Sequence, residues 1–308
     1  MLHDSDAFVL GANLPWIGYG TDFGANAWSP QGGLAVQAAQ YARLDETLAR
    51  LAADGIALVR VFLLCDARAG VRFDADGFPT GPDDALFADL DALVAAAGHN
   101  NVQVMPVLVD FHLCSPLKVI DGVQVGGRSH LIVTGEGRSA FIQRVIAPIA
   151  HRYRREPAIA AWDVMNEPEW CLRLAATRRE RDPFGAVQTF LADAVACMRA
   201  EVSQPITVGS AGTWQLDLVR PLGLDFYQVH WYERFGWTAL AQPVTQFGLD
   251  RPVLLGEFSG RTMPVRNVLE TARLAGYRGA LVWSVLAEDD ASGYPDEFVS
   301  WAAQRPRP

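Results

Sequence analysis

The chain has 308 residues, half of them hydrophobic and 20% charged, which suits a large globular core. Its 26 basic and 35 acidic residues leave a formal net charge of -9, a poor balance for a nucleic-acid partner. No apolar run reaches the roughly 18 residues that cross a bilayer, so no membrane partner is expected.

The opening "MLHDSDAFVLGANLPW" lacks a basic leader region. That predicts a cytoplasmic protein, or a secreted one whose signal peptide has been removed. Cys65, Cys114, Cys171 and Cys197 show no C-x-x-C spacing and read as free thiols in a reducing compartment.

In chain order, short apolar runs alternate with helical patterns. Strands are expected at 7–13, 57–64, 102–111, 158–167, 206–211, 226–232, 252–259 and 279–286. Most are continuously apolar, as parallel strands covered on both faces should be. Between them, "YARLDETLARLAADG" puts Tyr41, Leu44, Leu48 and Leu51 on one helical face, with Gly55 as its C-cap. "DDALFADLDALVAAAG" repeats the design with Gly98 at its end. In "TMPVRNVLETARLAG", Thr262 reads as N-cap, Pro264 as a first-turn residue and Gly276 as the stop.

Eight strands with intervening helices predict an α/β protein, a (β/α)8 TIM barrel forming a single catalytic domain over 1–308. An open doubly wound sheet competes, but no G-x-G-x-x-G follows the first strand. The connection at 112–137 is long, and Asp121-Gly122 between short apolar stretches signals a hairpin with a type I′ turn.

In such barrels, polar residues at the C-terminal ends of strands read as functional. Arg60 lies in the second strand; Asp110 and His112 close the third; Asn166 and Glu167 close the fourth. His230 and Tyr232 close the sixth, Glu257 the seventh, and Trp283 lies in the eighth. Asp163 shares the strand parity of Glu167 and should face the barrel interior. Taken singly, Arg60 could simply pair with Asp163, and each histidine could be structural. A buried glutamate is harder to explain that way, and "LLGEFS" otherwise reads as core.

No metal or other cofactor is expected. The first strand has no H-x-H pair, and no H-E-x-x-H occurs elsewhere. Lys118 is the only lysine and lies off the strand ends, which argues against Schiff-base chemistry. A G-x-S-x-G elbow is absent. Two glutamates across a cleft are what glycoside hydrolysis needs, one as acid and one as carboxylate.

The N-E-P tripeptide of the fourth strand, with the G-E of the seventh, resembles the retaining (β/α)8 glycoside hydrolases of clan A, most closely family 5. The resemblance covers nearly the whole chain. It implies that Glu167 is the acid/base, Glu257 the nucleophile, and Asn166 the partner of the sugar 2-hydroxyl. Arg60, His112, His230, Tyr232 and Trp283 match the remaining family positions. It further implies a β-linked glycan or oligosaccharide partner, of β-1,4-glucan or β-1,4-mannan type. Bulky loops at 112–137 and 168–184 keep open an exo-acting β-glycosidase on short oligosaccharides or glycosides. A non-catalytic carbohydrate-binding barrel is the alternative of another class, disfavoured by the presence of both Glu167 and Glu257. Trp16, Trp28, Trp170, Trp214, Trp231 and Trp237 are candidates for stacking further sugar rings.

Overall fold

The structure is a computed structural model that describes residues 8–174 and 180–304. Eight strands close into one parallel barrel: Val9–Asn13, Leu58–Phe62, Gln103–Asp110, Trp162–Asn166, Ile206–Ser210, Tyr227–Trp231, Val253–Ser259 and Gly279–Trp283. They neighbour one another in chain order, and the first pairs with the last. All eight expected strands are present in this closed sheet, which excludes the doubly wound alternative.

Two apolar layers explain the closure. Val9, Leu58, Met105, Ala161, Phe226, Leu254 and Leu281 form a plug inside the barrel. The larger core lies between strands and helices, where Leu44, Leu48 and Leu51 of the first helix (Ala38–Ala53) pack inward. Burying one such side chain contributes about 1.5–3 kcal/mol. Above the plug the interior becomes polar, with Arg60, Asp163 and Gln228 all buried.

Strict alternation would not deliver this arrangement. Leu254 joins the plug while Glu257, three residues on, bonds Arg60, although period two puts them on opposite faces. A register shift between Leu255 and Phe258 makes up the odd residue. A similar shift between Asp163 and Asn166 lets both side chains reach Arg60.

Some local expectations need correction. The fourth strand begins at Trp162, with only Ile159 of the preceding stretch bridged to Val104. The second helix runs through Gly98 to His99, and Asn101 takes the left-handed conformation instead (φ +55°). Thr262 does not cap its helix, which starts at Val265; its hydroxyl donates to Ser259 Oγ. The 118–125 hairpin forms as expected, with Asp121 and Gly122 both at positive φ. A second hairpin, Val71–Phe73 with Pro79–Pro82, encloses another Asp-Gly pair, Asp76-Gly77.

Candidate active site

A cleft of about 340 Å³ opens where the strands end. His112, Asn166, Glu167, Tyr232, Glu257 and Trp283 line it. Arg60 and His230 are buried and contact both glutamates or their neighbours from within the barrel. All eight residues singled out from the sequence thus converge on one place.

Arg60 organises it. The guanidinium donates from Nε to Asp163 Oδ2 at 2.9 Å and from Nη1 to Glu257 Oε1 at 2.6 Å. It also donates to Asn13 Oδ1 at 3.1 Å and to Asn166 Oδ1 at 2.8 Å. A fully buried cation is tolerable only when its donors are satisfied, and four acceptors surround this one. The reading of Arg60 as a partner of Asp163 was therefore correct but incomplete.

Glu257 also accepts from the Tyr232 hydroxyl at 2.7 Å. Burial pushes its carboxyl above the ordinary range, while Arg60 and the Tyr232 bond pull it back. Glu167 is nearly as buried, and burial raises its carboxyl too. Its Oε2 accepts from the Trp170 indole N–H at 2.6 Å, and its Oε1 lies 2.9 Å from His230 Nδ1. Burial lowers the His230 pKa to about 4, so the imidazole is neutral above that pH.

An oxygen of each glutamate and a ring nitrogen of His230 lie within 4.8 Å of one another. Three such donors have the spacing of a metal site, but the Arg60 cation already occupies the charge of Glu257. The arrangement is suited to proton transfer between a charged and a neutral carboxyl.

Asn166 is held at both ends, accepting from Arg60 and donating from Nδ2 to Asp110 Oδ2 at 2.7 Å. An amide nitrogen has two hydrogens, so one remains to face the cleft. His112 sits just past the third strand, half-exposed, with Nδ1 3.0 Å from Ser115 Oγ. The Trp283 indole donates to Asp289 Oδ2 at 2.9 Å, and its ring meets Trp16 and Phe62 edge-on. Of the other candidate tryptophans, Trp16 lines the cleft, whereas Trp231 is buried and belongs to the core.

Sequence reasoning missed Asn13, Gln228 and Arg234. Asn13 closes the first strand, where it donates to Gly256 O at 2.9 Å; an amide ending an apolar run was a readable signal. Gln228 donates to Asp163 Oδ2 at 3.0 Å, and it keeps parity with His230, two residues on. Arg234 lines the cleft from a single 3-10 turn, Glu233–Phe235, too short for any periodicity to mark it.

No protein-family model matches the sequence. A mannan endo-1,4-beta-mannosidase of Mytilus edulis is 26% identical, over 90% of this chain and 83% of the relative. Another of that name from Cryptopygus antarcticus is 24% identical, over 92% and 82% respectively. Among solved structures, an endo-1,4-beta-mannanase from Eisenia fetida superposes with a TM-score of 0.75 at 22% identity. That match covers 96% of this chain and 90% of the other. With these relatives, the barrel is that of a retaining O-glycoside hydrolase. The chain is similar to the clan A glycoside hydrolases, most like family 5.

Proposed function

We propose that the chain is an endo-acting β-1,4-mannan hydrolase in which Glu257 is the nucleophile and Glu167 the acid/base. The observation that carries the roles is the contrast between the partners of these two close, buried carboxyls. Arg60 and Tyr232 give Glu257 two short donors, one of them cationic, so its anion is favoured. Glu167 has only an indole donor and a neutral imidazole, so the proton of the pair resides there.

The chemistry then follows in two displacements. A Glu257 oxygen attacks the anomeric carbon while Glu167 gives its proton to the departing glycosidic oxygen. Esterified Glu257 no longer carries a charge, so Glu167 becomes more acidic and holds its charge as carboxylate. It next takes a proton from water, whose oxygen attacks the same carbon and releases Glu257. The free Nδ2 hydrogen of Asn166 is placed to hold a sugar hydroxyl through both steps, and Trp283 offers the ring an apolar wall.

Support for mannan comes from the two curated relatives, both named mannan endo-1,4-beta-mannosidases. A panel of β-1,4-mannan, β-1,4-glucan and β-1,4-xylan, with product lengths followed over time, tests the reading. Mannan should be cleaved fastest, with a mixture of intermediate lengths appearing early. Exclusive release of mono- or disaccharide from chain ends would make the enzyme exo-acting, and preference for glucan would overturn the substrate.

A further inference from the structure

Glu167 sits in the left-handed region, at φ +47° and ψ +52°, which a residue with a Cβ seldom occupies. Its N–H donates to Gly209 O at 2.7 Å, and the turn behind it folds back under its side chain. There Trp170 donates its backbone N–H to Glu167 O at 3.1 Å and its indole N–H to Oε2 at 2.6 Å. The indole is itself hemmed in. The Arg173 guanidinium lies 5.1 Å from its ring, that of Arg234 5.8 Å, and the Trp214 ring 5.8 Å.

An indole N–H can donate but never accept. The oxygen it faces is therefore an acceptor in both protonation states of the carboxyl, a part that the C=O oxygen of the acid form plays better than its O–H oxygen. That leaves Oε1, beside His230 Nδ1, as the place for the proton of the acid form.

We propose that Trp170 is a positioning residue for the acid/base: its N–H locks the Glu167 carboxyl in one orientation and assigns the proton to Oε1. The proposal rests on the reading of Glu167 given above. Its consequence has a definite sign. The indole bond favours the carboxylate, as do the charges of Arg60, Arg234 and His112, against the larger effect of burial. The other titratable groups around it are Asp110, Glu169, His230, Tyr232 and Glu257. Removing that donor therefore raises the Glu167 carboxyl further. Attack by Glu257 needs Glu167 protonated, so the alkaline limb of kcat/KM moves to higher pH. Water attack needs the carboxylate, so kcat falls at neutral pH where that step limits turnover.

Two variants test this. Trp170→Phe removes the N–H and some bulk, while 3-benzothienylalanine at 170 replaces N–H by sulfur and keeps the shape. Each is assayed on β-1,4-mannan and on a dinitrophenyl β-mannobioside, whose leaving group needs little acid help. On mannan, kcat/KM should fall about ten- to a hundredfold with the alkaline limb displaced upward. The fall on the activated substrate should be much smaller. A rise in KM alone on mannan, with the limb unmoved in both variants, would make Trp170 a mere wall and overturn the proposal. Glu167→Ala separates the two levels, using the activated substrate. A pre-steady-state burst and rescue by azide confirm Glu167 as acid/base, so an unmoved limb then counts against Trp170 alone. Absence of both removes the reading of Glu167 and the proposal with it.

Discussion

Glu257 accepts from a guanidinium and a phenol, whereas Glu167 accepts from an indole and faces a neutral imidazole. On the roles proposed above, the same side chain thereby acquires two jobs. Glu257→Gln keeps the volume and removes the anion, so turnover should fall roughly 10⁴-fold or more while sugar binding persists. Single-turnover kinetics with binding by calorimetry checks this, and near wild-type turnover would remove the nucleophile assignment. A third carboxyl, Glu169, has a different role. It is fully buried, accepts from the Ala211 N–H at 3.0 Å, and burial pushes it up to about 8 from the ordinary 4.5. The folded state therefore binds more protons than the unfolded one between those values. The contribution of Glu169 to stability therefore falls as pH rises through that window and levels off above it. Glu169→Gln keeps an acceptor for Ala211 but does not titrate. Its stability relative to wild type should improve from pH 5 to pH 9. Denaturant unfolding of both proteins at the two pH values reads the difference, and a constant gap would contradict the proton accounting.

At the level of strands, glycines make room for the buried charges. A Cβ on Gly209 of the fifth strand would lie 2.8 Å from Arg60 Nη2, 3.0 Å from Asp163 Oδ2 and 3.1 Å from His230 Nε2. Arg60 is tied to four partners and cannot withdraw without shifting Glu257. Gly209→Ala should therefore cost about 1–3 kcal/mol of stability and about ten- to a hundredfold in kcat/KM. Thermal unfolding and steady-state kinetics test it, and unchanged kinetics would show that Arg60 does not set the position of Glu257. Gly256 plays the matching part on the seventh strand, where a Cβ would come 2.7 Å from Gln228 Oε1. These elements mark the limit of legibility. The strands are readable because hydrophobicity is local, and the hairpin at 118–125 because Asp121-Gly122 can take positive φ. The register shifts beside Asp163 and Gly256 are not readable, because they depend on what the neighbouring strands place opposite. Thr262 misled for a related reason: its hydroxyl found Ser259 Oγ before any helical N–H.

For the whole molecule, barrel closure turns residues far apart in sequence into neighbours. Asn13 and Gly256, 243 positions apart, share a hydrogen bond, as do Arg60 and Glu257, 197 apart. The convergence of the eight candidate residues was legible because the fold gathers every strand's C-terminal end at one mouth, so strand-end chemistry predicts proximity. Arg234 and Trp170 were harder, since their place depends on how loops pack over that mouth. Closure also fixes the distance on which stereochemistry turns. Oxygens of Glu167 and Glu257 lie within 4.8 Å, whereas an inverting mechanism needs the carboxyls roughly 6.5–9.5 Å apart to admit a water between base and sugar. With no such room, the roles proposed above have Glu257 itself reach the anomeric carbon, and two successive inversions restore the starting configuration. Cleavage of a β-linked mannan should therefore release the β-anomer first, before mutarotation mixes the forms. Proton NMR of the anomeric signals in the first minutes reads the outcome directly. Appearance of the α-anomer first would make Glu257 a base acting on water, and the short carboxyl separation would need another cause.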